Sequence, residues 1–243
     1  MSAQTKIEWC DATVNVAWHC HNNDCPYCAA RRIAKLRAEY VGKKRGYSPD
    51  LIAKMKRFES GLFPDWKKII EKTCKTRKSK RIFFSFMGDI YYFSREMLYQ
   101  IFDEFGKYPQ HTYLFLTKYP RIYVDELELF ARKDIKKLTG MTVTCNADYL
   151  ECYTRYTGLF QTGYFDFISL EPLVEDINPE WLRFFKWVII GSETGNRKGK
   201  VVPEYDWIDK IVQYCISNRI PVFCKDNLKE VYPSYFLYQE FPK

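Results

Sequence analysis

Cys20, Cys25 and Cys28 stand in a C-x4-C-x2-C cluster directly after an apolar stretch, with Tyr27 between the last two. Three close thiolates can hold three irons of a four-iron cluster and leave the fourth iron without a protein ligand. An open iron is what chemistry requires, whereas a purely structural site fills every position with protein. Zinc is a second reading, with His19, His21 or Cys10 as fourth ligand, although zinc knuckles pair two hooks and a second hook is missing here. A third reading makes the cysteines inert and buried, which suits the polar Asn22-Asn23-Asp24 poorly. A helix expected from about Tyr27 to Tyr40 would begin near Pro26, where proline is tolerated, and its N-terminal dipole favours an anionic cluster.

The elements that must position such a site can be read from periodicity. Short runs rich in β-branched and aromatic residues recur at Thr13–Trp18, Arg81–Phe86, Thr112–Leu116, Gly140–Thr144, Tyr164–Leu170, Lys186–Ile190 and Ile220–Phe223. Helical spacing lies between most of them. Met97, Leu98, Ile101, Phe102 and Phe105 share one face, as do Trp207, Ile208, Ile211, Val212 and Cys215 behind Pro203. Strands alternating with helices predict an α/β fold of parallel βαβ units. Further helices are expected at 50–58 and 65–75, with Gly42, Gly46 and Ser48-Pro49 marking a break before them.

The residues at the C-terminal end of each strand are the most informative. The cysteine loop comes after the first strand, Met87-Gly88-Asp89 after the second and Thr117-Lys118 after the third. Cys145-Asn146, Glu171-Pro172, Gly191-Ser192-Glu193-Thr194-Gly195 and Lys225-Asp226 end the other four. Parallel strands place their C-terminal ends on one face, where α/β active sites are built. Gly88 allows a ligand close to the backbone, and Asp89 can pair with an ammonium group. The small-residue loop at Ser192 and Glu193 could take ribose or carboxylate through backbone N–H groups, or form a tight turn. Glu171 and Lys225 could serve a substrate or simply pair with each other.

At 243 residues, 47% hydrophobic and 18% aromatic, the chain is long enough for one large α/β domain, and disorder is excluded. No apolar run is long enough for a membrane helix, and the first residues lack the apolar core of a secretory signal, so the expected location is cytoplasmic. The nine cysteines do not read as a disulfide framework. The net charge of +8 is unevenly spread: residues 31–81 hold 18 Lys and Arg against 5 Asp and Glu. That basic helical segment either binds a polyanion such as nucleic acid or is a solvated face.

Several blocks together resemble a known family. They are K-I-E-W-x-D-A-T, the three cysteines, F-x-S-x-M-G-D ending at Asp89 and P-Q-H-T-x-x-x-L-T-K ending at Lys118. S-L-E-P-L around Glu171, W-V-I-I-G-S-E-T-G and P-V-F-C-K at Lys225 complete the set. In this order, over nearly the whole chain, they resemble the phage-associated three-Cys-motif family, a branch similar to the radical S-adenosylmethionine (radical SAM) enzymes. The first cysteine gap is four residues, where radical SAM enzymes commonly have three, and the family's G-G-E-S-G block reads Gly191-Ser192-Glu193-Thr194-Gly195 here.

The resemblance implies a partial (β/α) barrel of about six to seven parallel strands, spanning residues 1–243 as a single domain with the basic helical insertion at about 31–81. It implies a [4Fe-4S] cluster on Cys20, Cys25 and Cys28, with S-adenosylmethionine on the open iron. Tyr27 takes the aromatic position before the third cysteine, and Met87, Gly88 and Asp89 hold the methionine amino group. Asn146, Ser192 and Glu193 are candidates for the adenosine or carboxylate end; Lys118, Glu171 and Lys225 would face the substrate. The implied activity is reductive cleavage of S-adenosylmethionine to a 5′-deoxyadenosyl radical, fed by an external flavodoxin- or ferredoxin-like electron donor. Nucleic acid or a nucleotide is the substrate class that the charge distribution suggests. The alternative is a non-catalytic, zinc- or cluster-stabilised nucleic-acid-binding protein.

Overall fold

Alternating apolar runs become parallel strands, and the segments between them become helices that bury one face. The computed structural model describes residues 5–22 and 25–242. The chain divides into two compact units, the first made of residues Met1–Phe115 and Ile122–Lys137, the second of Leu116–Arg121 and Leu138–Lys243.

The first unit begins with β1 (Ala12–Val14), β2 (Ala17–His19), α1 (Ala29–Arg45), α2 (Pro49–Arg57), β3 (Glu59–Leu62) and α3 (Trp66–Cys74). It continues with β4 (Arg81–Phe84), α4 (Arg95–Gly106), β5 (Thr112–Thr117) and the single turns α5 (Ile122–Asp125) and α6 (Leu127–Phe130). β4 lies between β1 and β5, parallel to both, with Val14 opposite Phe84 and Phe84 opposite Phe115. β2 and β3 form a separate antiparallel pair. The expected strand Thr13–Trp18 therefore splits in two. Asn15 Oδ1 accepts from Met87 N at 2.8 Å and Val16 O accepts from Phe63 N at 2.9 Å, so the chain changes partners between these residues. α4 is capped by Ser94, whose side chain accepts from Met97 N, and it buries Leu98, Ile101, Phe102 and Phe105. Burying such side chains stabilises the fold by about 1.5–3 kcal/mol each. Phe84, Phe102, Phe105, Phe115 and Phe130 interlock edge-to-face or stacked, forming the aromatic centre of this unit.

The second unit carries β6 (Lys137–Val143), α7 (Asn146–Gln161), β7 (Phe167–Leu170), β8 (Trp187–Ile190), α8 (Tyr205–Ser217) and β9 (Val222–Cys224). Its strands run β6-β7-β8-β9, all parallel. Every residue of β7, β8 and β9 is buried, as a parallel sheet covered on both faces requires. α8 turns Ile208, Ile211, Val212 and Cys215 inward, the face expected from its spacing. Among the described residues, the two units hold seven parallel strands, in an α/β fold. No helix among the described residues is long and apolar enough to cross a membrane.

Candidate functional site: the cysteine loop and the strand ends

In the first unit the cysteine loop and the Met87-Gly88-Asp89 turn are joined through the backbone. His19 N donates to Met87 O at 3.2 Å, and Asp89 N donates to His19 O at 3.3 Å. A Cβ at Gly88 would overlap the His19 carbonyl oxygen and lie 3.2 and 3.3 Å from its carbonyl carbon and its nitrogen. Glycine is needed there for this close approach. Met87 is buried in an apolar cluster with Trp18, Met55, Phe58 and Phe63, and Cys20 and Cys28 pack against the same cluster.

The helix after the loop starts at Ala29, later than the expected Tyr27, because Cys28 serves as its cap. The Cys28 Sγ accepts from Arg31 N at 3.3 Å, which places the sulfur at the positive end of α1. Arg31 also donates to Cys20 O at 3.3 Å and Asn22 O at 2.9 Å while its guanidinium lies 5.5 Å from the Phe58 ring centroid. In the sequence Arg31 reads only as part of a basic run. Its position three residues after the last cysteine is the signal that could have marked it as a brace of the loop.

Cys20, Cys25, Tyr27 and Cys28 are all half-buried. Asn23 and Asp24, in the same loop, lie outside the described residues. Burial, together with the nearby charges of Asp89, Cys28 and Cys25, pushes the Cys20 thiol up to about 11. Asp89 also caps the short turn Ile90–Tyr92 by accepting from Tyr91 N at 3.0 Å. His19 and His21 stack edge-to-face at 4.7 Å beside Tyr92 and Phe93. Burial and the neighbouring His21 hold the His19 imidazole below its usual value. All nine cysteines are free thiols.

Among the described residues no group of three His, Cys, Asp or Glu is arranged to hold a single metal ion. A single ion draws its ligands to one point, whereas in a four-iron cluster each thiolate binds a different iron. Of the three soft thiols, Cys20 and Cys28 lie against an apolar wall, and Cys28 caps a helix N-terminus. Soft thiolates of this kind suit iron–sulfur clusters and zinc.

In the second unit the ends of β7, β8 and β9 bring Glu171, Gly191 and Lys225 together. Lys225 Nζ lies 2.5 Å from Glu171 Oε1, and Ser169 Oγ donates to Glu171 Oε2 at 2.8 Å. A Cβ at Gly191 would stand 2.9 Å from Lys225 Cδ and 3.0 Å from Glu171 Oε1, so glycine again permits the contact. The pair is only 16–19% exposed in its side chains, which makes both partners costly to leave alone.

The other predicted residues of this unit are tied into loops. Glu193 is buried and receives both Arg197 Nε and Arg197 Nη2, at 2.7 and 2.8 Å. The Ser192 backbone is clasped from both sides by the Asn227 amide, at 3.1 and 2.7 Å. Asn146 begins α7 and donates to Glu175 Oε1 and Asp176 O, each at 2.7 Å. Lys118 acts electrostatically on Asp148, whose carboxyl is held below its usual range, against the upward pull of burial, by Thr144 and Lys118. Arg197, Asn227, Ser169 and Asp148 were missed in the sequence because pairings of this kind have no period.

No curated protein and no solved structure matches this chain. One family model does match, over residues 4–230, and the chain belongs to that family, described as Protein of unknown function (DUF5131).

Proposed function

We propose that this protein is a radical SAM enzyme, acting in the cytoplasm on a nucleic acid or nucleotide. In this reading its parallel strands are those of a partial (β/α) barrel of the radical SAM kind. The observation that carries the reading is the junction of the Met87-Gly88-Asp89 turn with the cysteine loop. The carboxylate that would hold an amino group is fixed, through His19, to the segment that carries the thiols.

Cys20, Cys25 and Cys28 would hold a [4Fe-4S] cluster. Bound there and reduced by a flavodoxin- or ferredoxin-like donor, such a cluster would supply the electron for reductive cleavage of S-adenosylmethionine to methionine and a 5′-deoxyadenosyl radical. The residues of the chain bind and orient. Arg31 holds the loop carbonyls in place, and the apolar cluster around Phe58 and Met87 packs against Cys20 and Cys28. Asp89 supplies the charge opposite an ammonium group. Glu171 and Lys225 form a proton-bearing pair, fixed by Ser169, that would face a substrate.

The test is anaerobic reconstitution with iron and sulfide, then reduction in the presence of S-adenosylmethionine. About four irons, broad absorbance near 400 nm and release of 5′-deoxyadenosine are expected. Cys20→Ala, Cys25→Ala or Cys28→Ala should abolish the signal, and Cys74→Ala should keep it. Stoichiometric zinc without iron would remove the reading. It would favour instead a zinc-stabilised nucleic-acid-binding protein, which the exposed Lys75, Arg77 and Lys78 support because none has an acidic partner among the described residues.

A further inference from the structure

Among the described residues, four buried side-chain nitrogens and oxygens have no hydrogen-bond partner: His19 Nδ1, Arg81 Nε, Ser85 Oγ and Glu126 Oε2. Glu126 Oε2 has Arg95 Nε 3.3 Å away, and the Arg81 guanidinium reaches Asp11 Oδ1 at 3.4 Å through Nη2. The His19 ring interacts with the Tyr92 backbone but leaves Nδ1 unpaired, Ser85 Oγ has no compensation of this kind, and both residues flank the Met87-Gly88-Asp89 turn. His19 is bonded to the turn through its backbone, and Ser85 O accepts from Gly88 N at 3.2 Å.

Ser85 carries a second cost. Its φ is 67°, in the left-handed region that a residue with a Cβ disfavours. The backbone is held there from both sides, since Ser85 N donates to Val14 O at 2.9 Å. The residue is 3% exposed, so water does not reach its hydroxyl freely. Glycine at this position would remove the strain and the orphaned hydroxyl together. Strain of this kind persists where a site uses it.

We propose that Ser85 is a recognition residue whose hydroxyl, with His19 Nδ1, is completed by the polar groups of an α-amino acid moiety seated at the Met87–Asp89 turn. This rests on the reading that the turn holds the methionine end of S-adenosylmethionine. An α-amino acid presents a carboxylate and an ammonium side by side. The Ser85 hydroxyl donates to the carboxylate, while Asp89 and His19 Nδ1 face the ammonium. The free protein carries the strain and the unpaired hydroxyl, and the ligand relieves the second of these.

The experiment uses the full chain, anaerobically reconstituted, as wild type, Ser85→Gly and Ser85→Ala. Affinity for S-adenosylmethionine is measured by equilibrium dialysis, and melting temperature is measured without ligand. Both variants should bind roughly tenfold more weakly, as expected for one lost hydrogen bond to a charged group. Ser85→Gly should nevertheless melt higher than wild type. Wild-type binding with both variants within twofold of it would overturn the role of Ser85 and leave the cofactor reading standing. A lower melting point for Ser85→Gly would make the hydroxyl structural and overturn the proposal as well. Absence of binding by the wild type would remove both the proposal and the reading beneath it.

Discussion

Gly88→Ala tests whether the junction of turn and cysteine loop matters physically. The added methyl would overlap the His19 carbonyl oxygen and press on the carbonyl carbon and nitrogen of the same residue. These are backbone atoms, so no side chain can swing aside. β2 and the turn must separate, which breaks the bonds between His19 N and Met87 O and between Asp89 N and His19 O. Each bond contributes about 0.5–1.5 kcal/mol net, so losing both costs roughly 1–3 kcal/mol. In a chain of this size that lowers the melting temperature by about 2–12 °C. Gly158→Ala is the control. It lies inside α7, its Cβ would meet nothing within 4 Å, and alanine is the better helix former by up to about 1 kcal/mol. Thermal melting of wild type and both variants, with iron content after reconstitution, gives the readout. Gly88→Ala should melt lower and lose iron, while Gly158→Ala should melt at or above wild type with iron unchanged. Wild-type melting and iron content in Gly88→Ala would refute the reasoning.

Two further outcomes are expected. Burial pushes the thiols of Cys10, Cys215 and Cys224 up to about 12, whereas in the unfolded chain they ionise near 8.5. Above that pH the unfolded state binds fewer protons than the native one, so stability should fall steadily from about pH 8.5 toward 12. Urea midpoints measured across that range check the slope, and a flat profile would contradict it. Neutralising Lys75, Arg77, Lys78 and Lys80 together should weaken nucleic-acid binding and flatten its dependence on salt, because each neutralised phosphate releases counterions. Titrations of wild type and quadruple variant with single-stranded and duplex DNA and RNA at two salt concentrations read this directly, and identical salt-insensitive curves would exclude the segment as a polyanion site.

The helices were legible because their signals are local. Ser48 and Ser94 cap α2 and α4 through their side chains, and the buried faces of α4 and α8 repeat at helical spacing. The central strands were legible because a fully buried parallel strand reads as an unbroken apolar run, as in Trp187-Val188-Ile189-Ile190. Thr13–Trp18 misled for the same reason. Its apolar residues suit a strand throughout, and only Asn15, reaching residue 87, and Phe63, reaching Val16, cut it in two. β3 was missed because Glu-Ser-Gly-Leu has no strand pattern of its own and forms by pairing with β2.

The site divides along the same line. Glycines and acids at strand ends were visible as types, because only a few residues suit a backbone that another chain segment must approach. What those side chains touch was not visible. In the sequence Glu193 reads as a ligand-facing acid, and in the structure it is buried and paired with the Arg197 guanidinium four residues on. Removing Arg197 would take two charge-assisted hydrogen bonds from a buried carboxylate, a penalty larger than a surface ion pair ever returns. The same reasoning separates Glu171 and Lys225 from ordinary core residues. An apolar pair would fill the space at the ends of β7 and β9 without the desolvation cost of two charges. The chain instead keeps the charges, fixes one oxygen with Ser169 and clears room for both with Gly191. Four residues from three neighbouring strand ends serve one ion pair, and a sheet that needed only stability would gain more from leucine at both positions.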